Sequence, residues 1–204
     1  MSILKRFKDR QKKTAKTASL PGGIHENVDF VDFKKDLDKK GDFNKYLFMK
    51  FKKFDDEGNP IGEFATSFME LDTTSSYLDF KTKILLVQMH NLAVALFGDE
   101  WEKKFDPLKG LVEEDECHYK TLHAKLEKRV FVRALETNVK DGIEELVNEY
   151  FENGGDKRFV IKIVYNDKGY VNLPNGPFIQ DQADDKIKLS LTDKEISLIK
   201  KFAK

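Results

Sequence analysis

Alternation of apolar and polar positions marks the first third of the chain. Between Ile24 and Lys34, Ile24, Val28 and Phe30 fall on one side and Val31 and Phe33 on the other, a strand-like pattern opening just after the breaker Pro21-Gly22-Gly23. Lys40-Gly41-Asp42 turns the chain into Tyr46-Leu47-Phe48-Met49-Lys50-Phe51-Lys52-Lys53-Phe54. In a strand, Leu47, Met49 and Phe51 then form a core face, and Tyr46, Phe48, Lys50 and Lys52 the opposite one. An acidic turn over Asp55–Pro60 leads to a third strand at Glu63–Leu71, with Phe64, Thr66 and Phe68 in register. Strand, turn, strand, turn, strand predicts a β-meander.

The period then changes. Thr73-Thr74-Ser75-Ser76 offers N-caps, and Leu78 to Phe97 reads as a helix striped by Leu85, Met89, Leu92 and Leu96 and ended by Gly98. Trp101 and Phe105 lie on a shorter helical turn stopped by Pro107, and residues 106–128 are charged and weakly periodic. Strand patterning returns over Arg129–Glu136, with Val130 and Val132 inward and Arg129, Phe131 and Arg133 outward. A helix follows at about 139–152, with Ile143, Leu146, Val147 and Tyr150 along one face and Asn153-Gly154-Gly155 as its stop. Arg158–Tyr165 is the clearest strand, followed by the hairpin-type turn Asn166–Gly169 and the rigid loop Leu173–Phe178. Thr192-Asp193-Lys194-Glu195 fits a capping box that opens a short last helix. This order predicts an α+β fold: an OB-fold-like small β-barrel with a helical insertion between strands 3 and 4 and a short C-terminal helix. Three regions are expected: a basic arm at 1–19, the barrel at 20–180 with its insertion at about 74–128, and a linker with the last helix at 181–204.

Composition adds bounds. Of 204 residues 40% are apolar, 17 of them Phe, enough for a core and too many for wholesale disorder. No run of 18 apolar residues offers a membrane span, and the basic N-terminus has no apolar stretch behind it to make a secretory signal. The single Cys117 excludes an internal disulfide framework and suits a reducing cytoplasm, the expected location. Net charge is zero, with 36 basic and 36 acidic residues, which argues against a polycation that simply coats nucleic acid. The charge is uneven, however: residues 1–19 hold seven bases and one acid, Asp9, and carry +6, so the rest of the chain carries −6.

No phosphate-binding loop, dinucleotide fingerprint or nucleophile elbow is present, and no catalytic residue or cofactor is expected. Cys117, His118 and His123 place three metal-ligand types within seven positions, but without a paired CxxC they read as a solvated loop. Scattered carboxylates such as Glu63, Glu70 and Asp79 could hold magnesium in a nuclease; among 36 acids, chance proximity explains them better. The positive pattern is rings beside cations. Tyr46, Phe48 and Phe131 are placed to stack on bases, and Lys50, Lys52, Arg129 and Arg133 to pair with phosphates. Arg158 and Lys162 share the outward side of the next strand and would extend the groove, with Tyr170 as a loop contact. The competing readings are plain: strand aromatics also serve packing, strand lysines protect edges, and a basic arm can be a solvated tail.

Two motifs carry a resemblance. Leu20-Pro21-Gly22-Gly23-Ile24-His25-Glu26-Asn27-Val28 resembles the entry into the first strand of OB-fold single-stranded DNA-binding proteins of tailed bacteriophages. Val164-Tyr165-Asn166, Gly169-Tyr170, Leu173-Pro174 and Gly176-Pro177-Phe178-Ile179 resemble their last barrel strand and the loop after it. The likeness covers roughly residues 20–180 and implies a non-enzymatic protein that coats and protects single strands during phage replication and recombination and contacts replication proteins. It departs at the end: many such proteins finish in an acidic tail, whereas this chain finishes Lys200-Lys201-Phe202-Ala203-Lys204. The basic arm could join neighbouring protomers along the strand. The rival expectations are a phage structural or scaffold-type interaction protein and a metal-dependent nucleic-acid enzyme.

Overall fold

The computed structural model describes residues 18–37, 44–67, 78–106, 110–111, 129–184 and 188–203. Three strands form the expected meander: β1 (Gly23–Leu37), β2 (Asn44–Phe54) and β3 (Pro60–Ser67), each antiparallel to the next. β4 (Phe159–Tyr165) pairs with the first part of β1, and the short strands β5 (Val171–Asn172) and β6 (Ile179–Asp181) both pair with β4. The order is β3-β2-β1-β4-β5 with β6 alongside β4. The fold is α+β: a curled antiparallel half-barrel with helices inserted between β3 and β4 and a short helix at the C-terminal side.

The curl resides in β1. Its 15 residues serve two neighbours, β4 from Gly23 to Val28 and β2 from Val28 to Leu37. Between His25 and Val28 the ladder to β4 slips at Asn27, the only described non-glycine residue with positive φ, at 57°. Asn tolerates this left-handed conformation better than most residues, and an extra residue in one strand bends it. Gln182 holds the bend: its Oε1 accepts from the Asn27 N–H at 2.8 Å and its Nε2 donates to Asn27 Oδ1 at 3.0 Å.

The insertion begins with α1 (Leu78–Phe97), then a 3₁₀ turn at Gly98–Glu100 and the short α2 (Trp101–Lys104). Leu85, Met89, Leu92 and Leu96 are all buried, as the stripe predicts. α3 runs from Arg129 to Glu152 without interruption. The strand expected at Arg129–Glu136 is therefore a helix, and the helix expected from 139 starts ten residues earlier. The cause is cooperativity. Leu135, Val139, Ile143, Leu146, Val147 and Tyr150 form one buried stripe, no Gly or Pro separates it from Arg129, and extending an existing helix is far easier than nucleating a strand. The local β-preference of Val130, Phe131 and Val132 is too weak to resist.

The core lies between the inner face of the curl and the helices. Phe30 stacks on Phe51 at 5.1 Å and meets Tyr150 and Phe151 of α3 at 6.4 and 5.4 Å, while Phe178 meets Phe51 edge-on at 6.5 Å. Asn91, buried on α1, fastens the loop before β6: its Oδ1 accepts from the N–H groups of Phe178 and Ile179, and its Nδ2 donates to the Ile179 carbonyl at 2.7 Å. The last helix, α4 (Asp193–Phe202), opens with the predicted capping box between Thr192 and Glu195.

One further segment completes the curl. The Leu20 N–H donates to the Glu63 carbonyl at 2.8 Å, and the Glu63 N–H to the Ala18 carbonyl at 2.9 Å, so Ala18–Leu20 runs parallel to β3 as a strap along its edge. Leu20 is buried over Gly62, where a Cβ would come 2.2 Å from its Cδ2. Ala18 and Ser19, which composition assigns to the arm, are thus bonded to the sheet.

Candidate nucleic-acid interface

Strand alternation gives β2 its two faces. Met49 and Phe51 are buried inward; Phe48, Lys50, Lys52 and Phe54 are half-exposed on the other side. Register fixes their neighbours. Phe48 lies between Lys34 and Ser67, Lys50 between Asp32 and Ala65, and Lys52 between Asp29 and Glu63. Tyr46 belongs to the same alternating series, opposite Asp36, and its side chain lies outside the described set.

Arg158, just before β4, joins this outer face because Phe159 pairs with Val28 and so sets Arg158 beside Asp29. Its guanidinium donates to the Asp29 carboxylate and lies 4.8 Å from the centre of the Phe54 ring. Phe54 is a ring to which the strand pattern alone assigns no role; its i, i+2 spacing from Phe48, Lys50 and Lys52 is the available signal. Phe48, Lys50, Lys52, Phe54 and Arg158 therefore occupy one side of one curled sheet.

Acids temper this face. Lys50 Nζ lies 3.0 Å from Glu63 Oε2, with both side chains about one-third exposed. Asp29, only 6% exposed, is engaged by Arg158. The exposed Lys50 pair contributes about 0–1 kcal/mol and can be exchanged for a phosphate at little cost.

No family model, curated protein or solved structure matches this chain.

The remaining expected contacts lie elsewhere. Lys162 has outward parity on β4, opposite Ile24, but α4 and the segment before it cover it. Its ammonium donates to the Ser190 carbonyl at 2.7 Å and pairs with Glu195 at 2.9 Å, leaving the two side chains 10% and 17% exposed. Burial pushes the Glu195 carboxyl up, but the Thr192 N–H and the Lys162 ammonium outweigh it and hold it below the usual range. Arg129, Phe131 and Arg133 stand on helix α3, where positions two apart do not share a face, so they form no second ring-and-cation strand. That helix packs Tyr150 and Phe151 against Phe30, on the inner side of the sheet. Tyr170 is 67% exposed in the β4–β5 turn, close to where Phe202 of α4 meets Gly169 and Tyr165.

Among the described residues no cluster of three or more His, Cys, Asp or Glu could hold a metal ion. Cys117, His118 and His123 lie outside the described residues, as do Glu70 and the side chain of Asp79. Among the described residues no helix is long and apolar enough to cross a membrane.

Proposed function

We propose that this chain is an OB-fold-like single-stranded DNA-binding protein of phage type, acting without a cofactor and binding across the outer face of β1–β3. The observation that carries this reading is the row Phe48, Lys50, Lys52 and Phe54 at alternate positions of β2, met on the same face by Arg158. Rings on a sheet offer stacking platforms to any base, and the cations between them track the phosphates; neither needs a sequence match. The strand order supports it as well. A meander, helices between the third and fourth strands, and a β1 shared by β2 and β4 are the elements of an OB barrel, which binds oligonucleotides over its second and third strands. The entry motif Leu20–Val28 also gains a structural meaning: it contains the strap residue Leu20 and the bend at Asn27.

The test is a titration of fluorescent oligothymidine against the full chain at several salt concentrations, beside a duplex of equal length. Single strands should bind better than duplex, with log K falling by about 0.7 per neutralised phosphate for each decade of salt. Phe48→Ala should weaken binding by about 1–3 kcal/mol with its melting temperature nearly kept. Equal affinity for duplex, or a flat salt dependence, would count against the proposal.

A further inference from the structure

The ion pairs of Lys50 and Arg158 on the outer face differ in kind. Lys50 and Glu63 are each about one-third exposed, so their pair opens to a phosphate at little cost. Arg158 is held by Asp29, whose carboxylate is almost fully buried. Drawing the guanidinium away to a phosphate would leave that buried charge without it, which costs far more.

Register sets the geometry. Val28 pairs with Phe159 of β4 on one side and Lys53 of β2 on the other, so Asp29 lies between Arg158 and the end of β2. The Arg158 side chain reaches across β1 here. Its Nη1 donates to Asp29 Oδ1, and its Cζ lies over the Phe54 ring, 4.8 Å from the ring centre. Hydrogen bonds of a guanidinium run in its plane, so Asp29 takes an edge and not a face. Phe54 is half-buried, whereas the Arg158 side chain is 43% exposed, so the guanidinium is the outer layer of the two.

We infer that Arg158 is a base-stacking residue and not a phosphate contact. This rests on the proposed single-stranded DNA binding. The row on β2 then ends in a two-layered platform, with the Phe54 ring below and the guanidinium above, while Lys50 and Lys52 keep the phosphate part. A guanidinium plane stacks on a base much as an aromatic ring does. The chemistry it recognises is the face of an unpaired nucleobase of any identity. A base stacked within a duplex offers it no such face.

Three proteins test this: the unaltered chain, Arg158→Lys, and the double variant Asp29→Asn with Arg158→Gln. Each is titrated across a range of salt with oligothymidine and with an abasic strand of equal length, which keeps the phosphates and lacks the bases. Thermal melts fix a temperature at which all three are folded. Arg158→Lys keeps the charge beside Asp29 and removes the plane. It should bind oligothymidine about tenfold more weakly, and the abasic strand as tightly as the unaltered chain does. The double variant removes both charges together and leaves neither buried alone. It should also bind oligothymidine more weakly, with its salt slope unchanged. A phosphate contact gives the opposite pattern. Arg158→Lys would then keep its affinity for oligothymidine, or the double variant would show a slope shallower by about 0.7 and lose as much on the abasic strand. Either result overturns the inference and leaves the proposed function standing, provided the unaltered chain prefers single strands and responds to salt. If the unaltered chain does neither, the proposed function falls, and this inference with it.

Discussion

Three single residues show how local chemistry holds the structure together. Asn91 lies buried on α1 and makes three hydrogen bonds to the backbone of Phe178 and Ile179. Asn91→Ala would leave those groups buried and unpaired at about 1–3 kcal/mol each, so urea unfolding should show one of the largest losses of any single polar substitution in the protein. Gly142 is a case of close approach: a Cβ there would fall 1.9 Å from Cε2 of Phe105, so Gly142→Ala must push a buried ring aside and should cost about 1–3 kcal/mol despite its helix-favouring side chain. His25 works through protons. Burial lowers its pKa, the hydrogen bond with the Pro21 carbonyl at 2.9 Å opposes this, and nearby Lys53 adds to the lowering. The unfolded chain then binds more protons than the native one just below the ordinary histidine pKa. The contribution of His25 to stability is complete above pH ~6.5 and shrinks as pH falls through that value toward the lower native pKa. A series of urea midpoints from pH 8 to 5 should show this decline, and His25→Gln should flatten it.

At the scale of elements, α3 and α4 show what a sequence pattern conveys and where it stops. The α1 stripe and the Thr192–Glu195 capping box are legible because each is a local pattern with one dominant period or spacing. Arg129–Arg133 also has a local pattern, alternating apolar and polar, yet its state is set by Leu135, Val139 and Ile143 downstream, whose packing extends the helix backward. The outward parity of Lys162 is readable from its strand, but its burial depends on Ser190 and Glu195, about thirty residues on, and no window around β4 contains that information. Phe54 escapes notice for the same reason: its partner Arg158 comes from the far side of the insertion. The Lys162–Glu195 pair gives a prediction at this scale. Because the native Glu195 pKa is lowered, its stabilising effect is present above the ordinary carboxyl pKa of about 4.5 and is lost as pH falls through and below it. Glu195→Gln should weaken the docking of α4 at neutral pH, since it leaves the Lys162 charge poorly matched. Thr192→Ala, which removes only the cap, should cost about 1 kcal/mol. Amide exchange along Asp193–Phe202 would distinguish the two, with faster exchange throughout α4 for the first and mainly at its start for the second.

For the molecule as a whole, the meander and the position of the helical insertion follow from alternation and turn chemistry, whereas the closing of the curl does not. The bend at Asn27 depends on a positive φ and on Gln182, which no periodicity announces. The strap is a single apolar residue, Leu20, at the end of a basic stretch, so composition assigns its neighbours to a tail. Yet that strap lies on the edge of β3, and Leu20 is part of the same buried core as Val28, Phe64 and Ile163. It covers an edge that would otherwise present unpaired backbone groups, the usual weak point of an open sheet. Removing the strap should therefore affect the edge of β3 as well as the N-terminal segment. Leu20→Ala is expected to cost about 2–5 kcal/mol, the range for truncating a buried leucine. Gly62→Val should dislodge the strap by filling its seat from the opposite side. In both variants the amides of Leu20 and Glu63 should exchange much faster, while those within α1 should speed up only as far as global stability falls. If both amides stay protected in Gly62→Val and its melting temperature is unchanged, Leu20 is not what closes the curl.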